Sequence, residues 1–207
     1  MIELSVLTST GDGIAASYSY SAVLSDHGTL FVQVESVYSD ATAASCTIGG
    51  VAANTVKIGN DHTQQILFWR DNLPAGNYAV SVTGLAGKHY SNFAVYFLKN
   101  AKTCTAKTGS YDHAASAETH SSSMTYGRLL VEVWADFSTT DLALNSGQTS
   151  LAIRSVNEGS MKVGFAYKRD VGAGSVSTTV TWHSADNSYY SFEFIPFGGG
   201  QVIIWSS

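Results

Sequence analysis

The run Glu132-Val133-Trp134-Ala135-Asp136 is where this sequence comes nearest to chemistry. On a strand, residues at i, i+2 and i+4 share one face. A pair of carboxylates flanking a glycosidic bond is the machinery of glycoside hydrolysis. The spacing argues against that use. Positions i and i+4 on an unbulged strand lie about 13 Å apart, whereas glycosidase carboxylates sit roughly 5 to 9.5 Å apart. The corresponding stretch earlier in the chain offers only Gln33-Val34-Glu35. The run is therefore expected to be a solvated outer strand face.

The remaining reactive side chains form no machinery either. The six histidines, at 27, 62, 89, 113, 120 and 183, make neither H-x-H nor H-E-x-x-H. Asp112, His113, Glu118 and His120 could surround a metal, but an ordinary polar segment is the expectation. Asp136 with Asp141, or Asp40 with Asp61, lacks the spacing of a calcium loop. There is no G-x-S-x-G, no P-loop and no G-x-G-x-x-G after a strand. Cys46 and Cys104 have no C-x-x-C or metal spacing, so two reduced thiols are expected, with a bridge between them as the alternative. No catalytic residue, metal or cofactor is expected, and the chain reads as non-enzymatic.

The elements that would position such groups are strands. "LFVQVES" and "LLVEVWADF" alternate with period 2, placing Leu30, Val32 and Val34 on one side and Leu129, Val131, Val133 and Phe137 on the equivalent side. Ile66 and Phe68 match Phe165 and Tyr167; Tyr78, Val80 and Val82 match Val176, Thr178 and Val180. Pro74 and Gly76 mark a tight turn between two strands, and Gly49-Gly50 marks another. No segment carries a 3.6-residue period with caps.

These segments recur in the same order at a shift of 98 to 99 residues. "HGTLFVQVES" (27–36) meets "YGRLLVEVWA" (126–135), Arg70-Asp71 meets Arg169-Asp170, and "YSNFAVYF" (90–97) meets "YYSFEFIP" (189–196). The reading is an internal duplication. It predicts an all-β fold of two tandem antiparallel β-sandwich domains, jelly-roll or immunoglobulin-like, over residues 1–98 and 99–207. Residues 198–207, "GGGQVIIWSS", form a C-terminal strand of the second. The repeated pairs Arg70, Asp71, Arg169 and Asp170 are read as rim structure, with Arg capping the sandwich and Asp opening the turn.

If the regular rows face inward, then Phe31, Leu67, Trp69, Leu130 and Trp134 face outward and need covering. With Ile203 and Trp205 they are the expected interface residues, covered by a partner, a sugar, or the halves themselves.

Composition bounds the partners. Only 13% of the 207 residues are charged, about half the usual share of roughly 25%, so packing against another protein strips few charges of water. Residues 1–98 hold three basic and seven acidic residues, and residues 99–207 eight and nine, giving −5 in all. Neither half carries the basic stripe that a phosphate backbone requires, so no direct nucleic-acid partner is expected. No apolar run approaches the ~18 residues of a membrane span. The start, "MIELSVLTSTGDG", lacks the basic and apolar regions of a secretory signal.

The run "GTLFVQVES…CTIGGVAANTV…QILFWRDNLPAGNYAVSVTG…SNFAVYFLKNA" resembles a β-sandwich repeat found in bacteriophage structural proteins and in bacterial proteins. The second copy departs from it, with Gly172 in place of the proline and no "GGxA" turn. The three-acid strand motif of jelly-roll glucanases is broken at Trp134. The phage resemblance implies a virion component, such as a capsid decoration, spike or tail part. The implied partners are other virion proteins of a capsid or tail lattice and further copies of the chain, and the implied location is the virion. A lectin or carbohydrate-binding module using Trp69, Trp134 or Trp182 against a glycan is the alternative.

Overall fold

A computed structural model describes residues 1–9, 13–37, 43–59, 63–85, 90–111, 116–156 and 161–198. Within them lie seventeen strands and no helix. Residues before 100 supply β1 (Glu3–Ser9), β2 (Tyr18–Leu24), β3 (Gly28–Val37), β4 (Ser45–Ile48), β5 (Val51–Ala52), β6 (Asn54–Gly59), β7 (Thr63–Leu73), β8 (Gly76–Thr83) and β9 (Ser91–Lys99). The rest supply β10 (Ala101–Tyr111), β11 (Ala117–Met124), β12 (Leu129–Asp136), β13 (Ala143–Leu144), β14 (Thr149–Val156), β15 (Met161–Arg169), β16 (Gly174–Thr181) and β17 (Asn187–Pro196).

They form four antiparallel sheets. A first central sheet, β1-β9-β3-β7-β6, is covered by a first outer sheet, β2-β8-β4-β5. A second central sheet, β10-β17-β12-β15-β14, is covered by a second outer sheet, β11-β16-β13. Each strand of the second pair of sheets occupies the position its counterpart holds in the first, and only β5 lacks a counterpart. The chain crosses between sheets at nearly every turn. The turn at Pro74-Ala75 is thus a corner, since β7 belongs to a central sheet and β8 to an outer one. The hairpin between β4 and β5 is made by Gly49 and Gly50 at φ +60° and +76°. Positive φ at both central positions defines the turn whose twist matches two paired strands, and glycine reaches it without a Cβ clash.

The two central sheets pack face to face, so the layers run outer, central, central, outer. β1 lies against β14, and β10 lies against β6. The first position of each central sheet therefore meets the fifth of the other, which is the arrangement of an isologous two-fold contact within one chain. Three cores result. Leu30, Val32, Val34, Phe68 and Phe93 meet Ile48, Val80 and Val82 between the first two layers. Phe31, Leu67 and Trp69 meet Val131, Phe165 and Phe192 between the central sheets. Trp134 and Tyr189 meet Leu142, Val180 and Trp182 between the last two.

This layering corrects one expectation. Leu129, Val131 and Val133 do not face their own outer sheet as Leu30, Val32 and Val34 do; they face the other central sheet. Phe165 and Tyr167 turn the same way, and Phe137 packs in a small cluster with Met161 and Val163. By facing, Leu130 and not Leu129 is the counterpart of Leu30, one residue off the sequence alignment. A one-residue slip moves every side chain of a strand to the other face. The row Val80 and Val82, by contrast, faces inward as Thr178 and Val180 do.

Gly164 on β15 shows how tightly the second pair of layers closes. A Cβ there would sit 2.1 Å from the indole of Trp134 on the paired strand. Gly164→Ala is expected to lower stability by about 3 kcal/mol through overpacking, read as a shift in the urea unfolding midpoint. A change below about 0.5 kcal/mol would contradict this packing.

Candidate functional site

β12 is the middle strand of its sheet and is covered on both faces. Glu132, Trp134 and Asp136 are therefore buried, at 0%, 1% and 0% exposure, and do not form a solvated face. The expectation failed because it took polar positions to mean solvent, whereas the other parity of this strand is needed at the seam between central sheets. Glu132 Oε1 accepts hydrogen bonds from the Tyr189 hydroxyl at 2.5 Å and from the Thr178 hydroxyl. Burial, reinforced by the Glu132 charge, pushes the Tyr189 phenol well above its ordinary range. The His120 ring stacks on Tyr189 at 4.1 Å.

Asp136 accepts the amides of His183 at 2.9 Å and Ser184 at 3.1 Å. Burial raises its carboxyl although those amides oppose the rise. Glu193 shows the opposite balance. Burial works to raise it, but Lys107 at 2.7 Å and the amides of Thr125, Tyr126 and Gly127 hold it below the usual range. Asp136 and Glu193 act as braces that satisfy turn amides. The Glu132 side chain is sealed from solvent, so a substrate cannot reach it.

The seam between the central sheets collects the residues expected to need a cover. Phe31 and Leu67 are fully buried and Trp69 is 7% exposed; the second half of the chain covers them. Phe31 meets Phe192 edge-on at 4.9 Å, and Tyr96 stacks on Phe165 at 4.2 Å. Leu130 and Trp134, expected outward, instead face the second outer sheet and are buried there. Ile203 and Trp205 lie outside the described residues, as do Asp112, His113, Asp40, Asp61 and, of the expected strand over 198–207, residues 199–207.

Next to the aromatic part of the seam is a polar one. Arg154 of β14 donates to Gln33 Oε1 at 2.7 Å and to Asn92 Oδ1 at 2.6 Å, and it faces Glu35 Oε1 at 3.6 Å. Tyr96 donates to Gln33 Oε1 at 2.8 Å, and Gln65 donates to Ser188 of the second half at 2.8 and 2.9 Å. Glu35 is fully buried, and that burial pushes its carboxyl up to about 7 against the pull of Arg154. Sequence reasoning missed this network. One signal was present: Phe31, Gln33 and Glu35 on one parity, opposite Trp69, Leu67 and Gln65, mix large aromatics with long amides. A solvated face has no use for such aromatics.

The rim pairs do unlike work. Arg70 donates to the Ile48 carbonyl at 2.8 Å, just before the Gly49-Gly50 hairpin. Asp71 opens no turn: it sits inside β7, accepts the Thr29 hydroxyl at 3.1 Å and is raised to about 6 by burial. Arg169 donates to the Ile2 carbonyl at 2.6 Å and so ties the second half to the first. Asp170, at φ +48°, does sit at the bend that leaves β15. Cys46 and Cys104 are free and buried in different cores.

The two outermost faces look alike. Ser19, Ser21, Ser45, Thr47, Ser81 and Thr83 point out from one. From the other, Thr119 pairs with Thr179 at 3.0 Å, Ser121 with Ser177 at 2.9 Å, and Asn145 donates to Thr181 at 2.7 Å. The only Asp, Glu, Lys or Arg in the seven strands of these sheets is Glu118, which shares the inward parity of His120. Among the described residues, no three His, Cys, Asp or Glu side chains stand together as a metal site, and no helix is long and apolar enough to cross a membrane. Comparison with family models and with curated proteins finds no match for the chain.

Proposed function

We propose that this chain is a non-enzymatic structural protein of a bacteriophage virion, a capsid decoration or spike component. We further infer that its halves are jelly-roll sandwiches descended from one duplicated unit; the repeated strand order and the sheet-to-sheet crossing support that reading. The observation that carries the function is the pair of charge-free hydroxyl faces on the outside of the stack. Such faces associate with other protein surfaces at little desolvation cost. The groups able to do acid–base chemistry are meanwhile committed inside as braces. The alternative lectin reading loses its platform, because Trp69, Trp134 and Trp182 are all buried.

Light scattering across a concentration series is the test. Mass that rises with concentration is expected, and Ser81→Glu with Ser177→Glu, which set one charge on each outer face, should return the chain to monomer. A monomer at every concentration, unchanged by those charges and turning over a polysaccharide, overturns the proposal.

A further inference from the structure

Eleven Lys and Arg residues serve the whole chain, and Lys88 lies outside the described residues. Of the other ten, four face carboxylates: Lys99 with Glu3, Lys107 with Glu193, Arg154 with Glu35 and Lys162 with Asp141. Three more, Arg70, Lys168 and Arg169, donate to backbone carbonyls, and Lys57 is also engaged. Lys102 and Arg128 remain. Among the described residues neither side chain has an ion-pair or hydrogen-bond partner, and both line the same groove, of about 510 Å³.

The placement follows from the sheet. Lys102 is on β10, Arg128 stands immediately before β12, and β17 runs between those strands, with Ile195 and Pro196 as the groove floor. Two strand spacings, about 10 Å, separate the two backbones, a span that two long side chains close from either side onto one anion. Tyr126 forms the third wall and is 59% exposed. Its turn is rigid, because the amides of Thr125, Tyr126 and Gly127 all donate to the buried Glu193 carboxylate. That brace holds the backbone of the turn that carries Tyr126, beside two uncommitted cations in a protein of net charge −5.

We propose that this groove binds an acidic saccharide. Lys102 and Arg128 take the oxyanion, a carboxylate or a phosphate, and Tyr126 takes the sugar ring. Two cations are too few to hold a nucleic-acid backbone, and an aromatic wall adds nothing for a bare inorganic ion. This assignment does not depend on the virion reading: it is tested by binding, and the other by mass.

The test is calorimetric titration of the full chain with trigalacturonate, neutral galactotriose and inorganic phosphate. Trigalacturonate should bind saturably and weaken with salt, and galactotriose should not bind. Lys102→Ala and Arg128→Ala should each weaken trigalacturonate by about tenfold, the worth of one charge-assisted hydrogen bond. Arg128→Lys should retain binding, and unchanged thermal unfolding in all three variants confirms that they fold. Tyr126→Ala should weaken trigalacturonate and leave phosphate unaffected. No saturable binding of trigalacturonate, or binding indifferent to both alanine variants, overturns the proposal. Phosphate binding as tightly as trigalacturonate overturns the saccharide assignment.

Discussion

Arg154→Met should cost about 3–5 kcal/mol of unfolding free energy at pH 8. The guanidinium is held between Gln33, Asn92 and Glu35, all from the first half, while Arg154 itself belongs to the second. Removing it takes one donor from each of the Gln33 and Asn92 amide oxygens and leaves a buried carboxylate without a cation. At pH 5 the same substitution should cost less, because Glu35 then carries a proton and no charge is stranded. The direction follows from Glu35 being held up at about 7 against an ordinary 4.5. Between those values the folded protein holds a proton that the unfolded chain has released. The stabilisation is complete below about 4.5 and is lost as pH rises through about 7, a swing of about 3 kcal/mol. Asp71, raised to about 6, leans the same way, and Glu193, lowered, leans the other. The difference between wild type and Glu35→Gln isolates the one group. Urea unfolding from pH 4.5 to 8 reads it, and parallel curves for the two proteins would contradict the assignment.

Phe31→Ala should lower stability by about 4 kcal/mol. Phe31 is wholly buried, and the second half supplies Phe165, Phe192 and Phe194 around it, with ring centroids 4.9 to 6.1 Å away. The cavity would open between the halves, at the ring that all three of these aromatics meet. Val23→Ala, at a side chain 68% exposed on an outer face, should change stability by less than about 0.5 kcal/mol. The measurement is the urea midpoint of each variant. A Phe31→Ala loss under about 1 kcal/mol would mean the seam is not a core in the energetic sense.

What the sequence made legible was whatever local spacing records. The alternation of β3 and β8 identified Leu30, Val32, Val80 and Val82 as inward, and the Gly49-Gly50 pair marked its hairpin. β12 misled because "LLVEVWA" is large and apolar at nearly every position. A strand buried on both faces has no polar parity to betray its orientation, and aligning it one residue off reversed the inferred facing. Arg154 left no local mark, since Asn92 and Gln33 lie 62 and 121 residues away in sequence. Gln33, Glu35 and Gln65 would be the wet side of an amphipathic sheet if the first half stood alone. The groove at Lys102, Tyr126 and Arg128 was invisible for a related reason, since β17, which brings them together, is built from residues more than fifty positions further on.

The four-layer order sets the valence of the molecule. Its equivalent faces are used up against each other in the middle, and the two hydroxyl faces are left back to back, about 30 Å apart across three sheet spacings. Each contact made by one of them leaves the other available and pointing the opposite way. Growth through these faces alone is therefore one-dimensional. It makes rods or bridges between two surfaces, and covering a surface in two dimensions falls to the exposed strand edges.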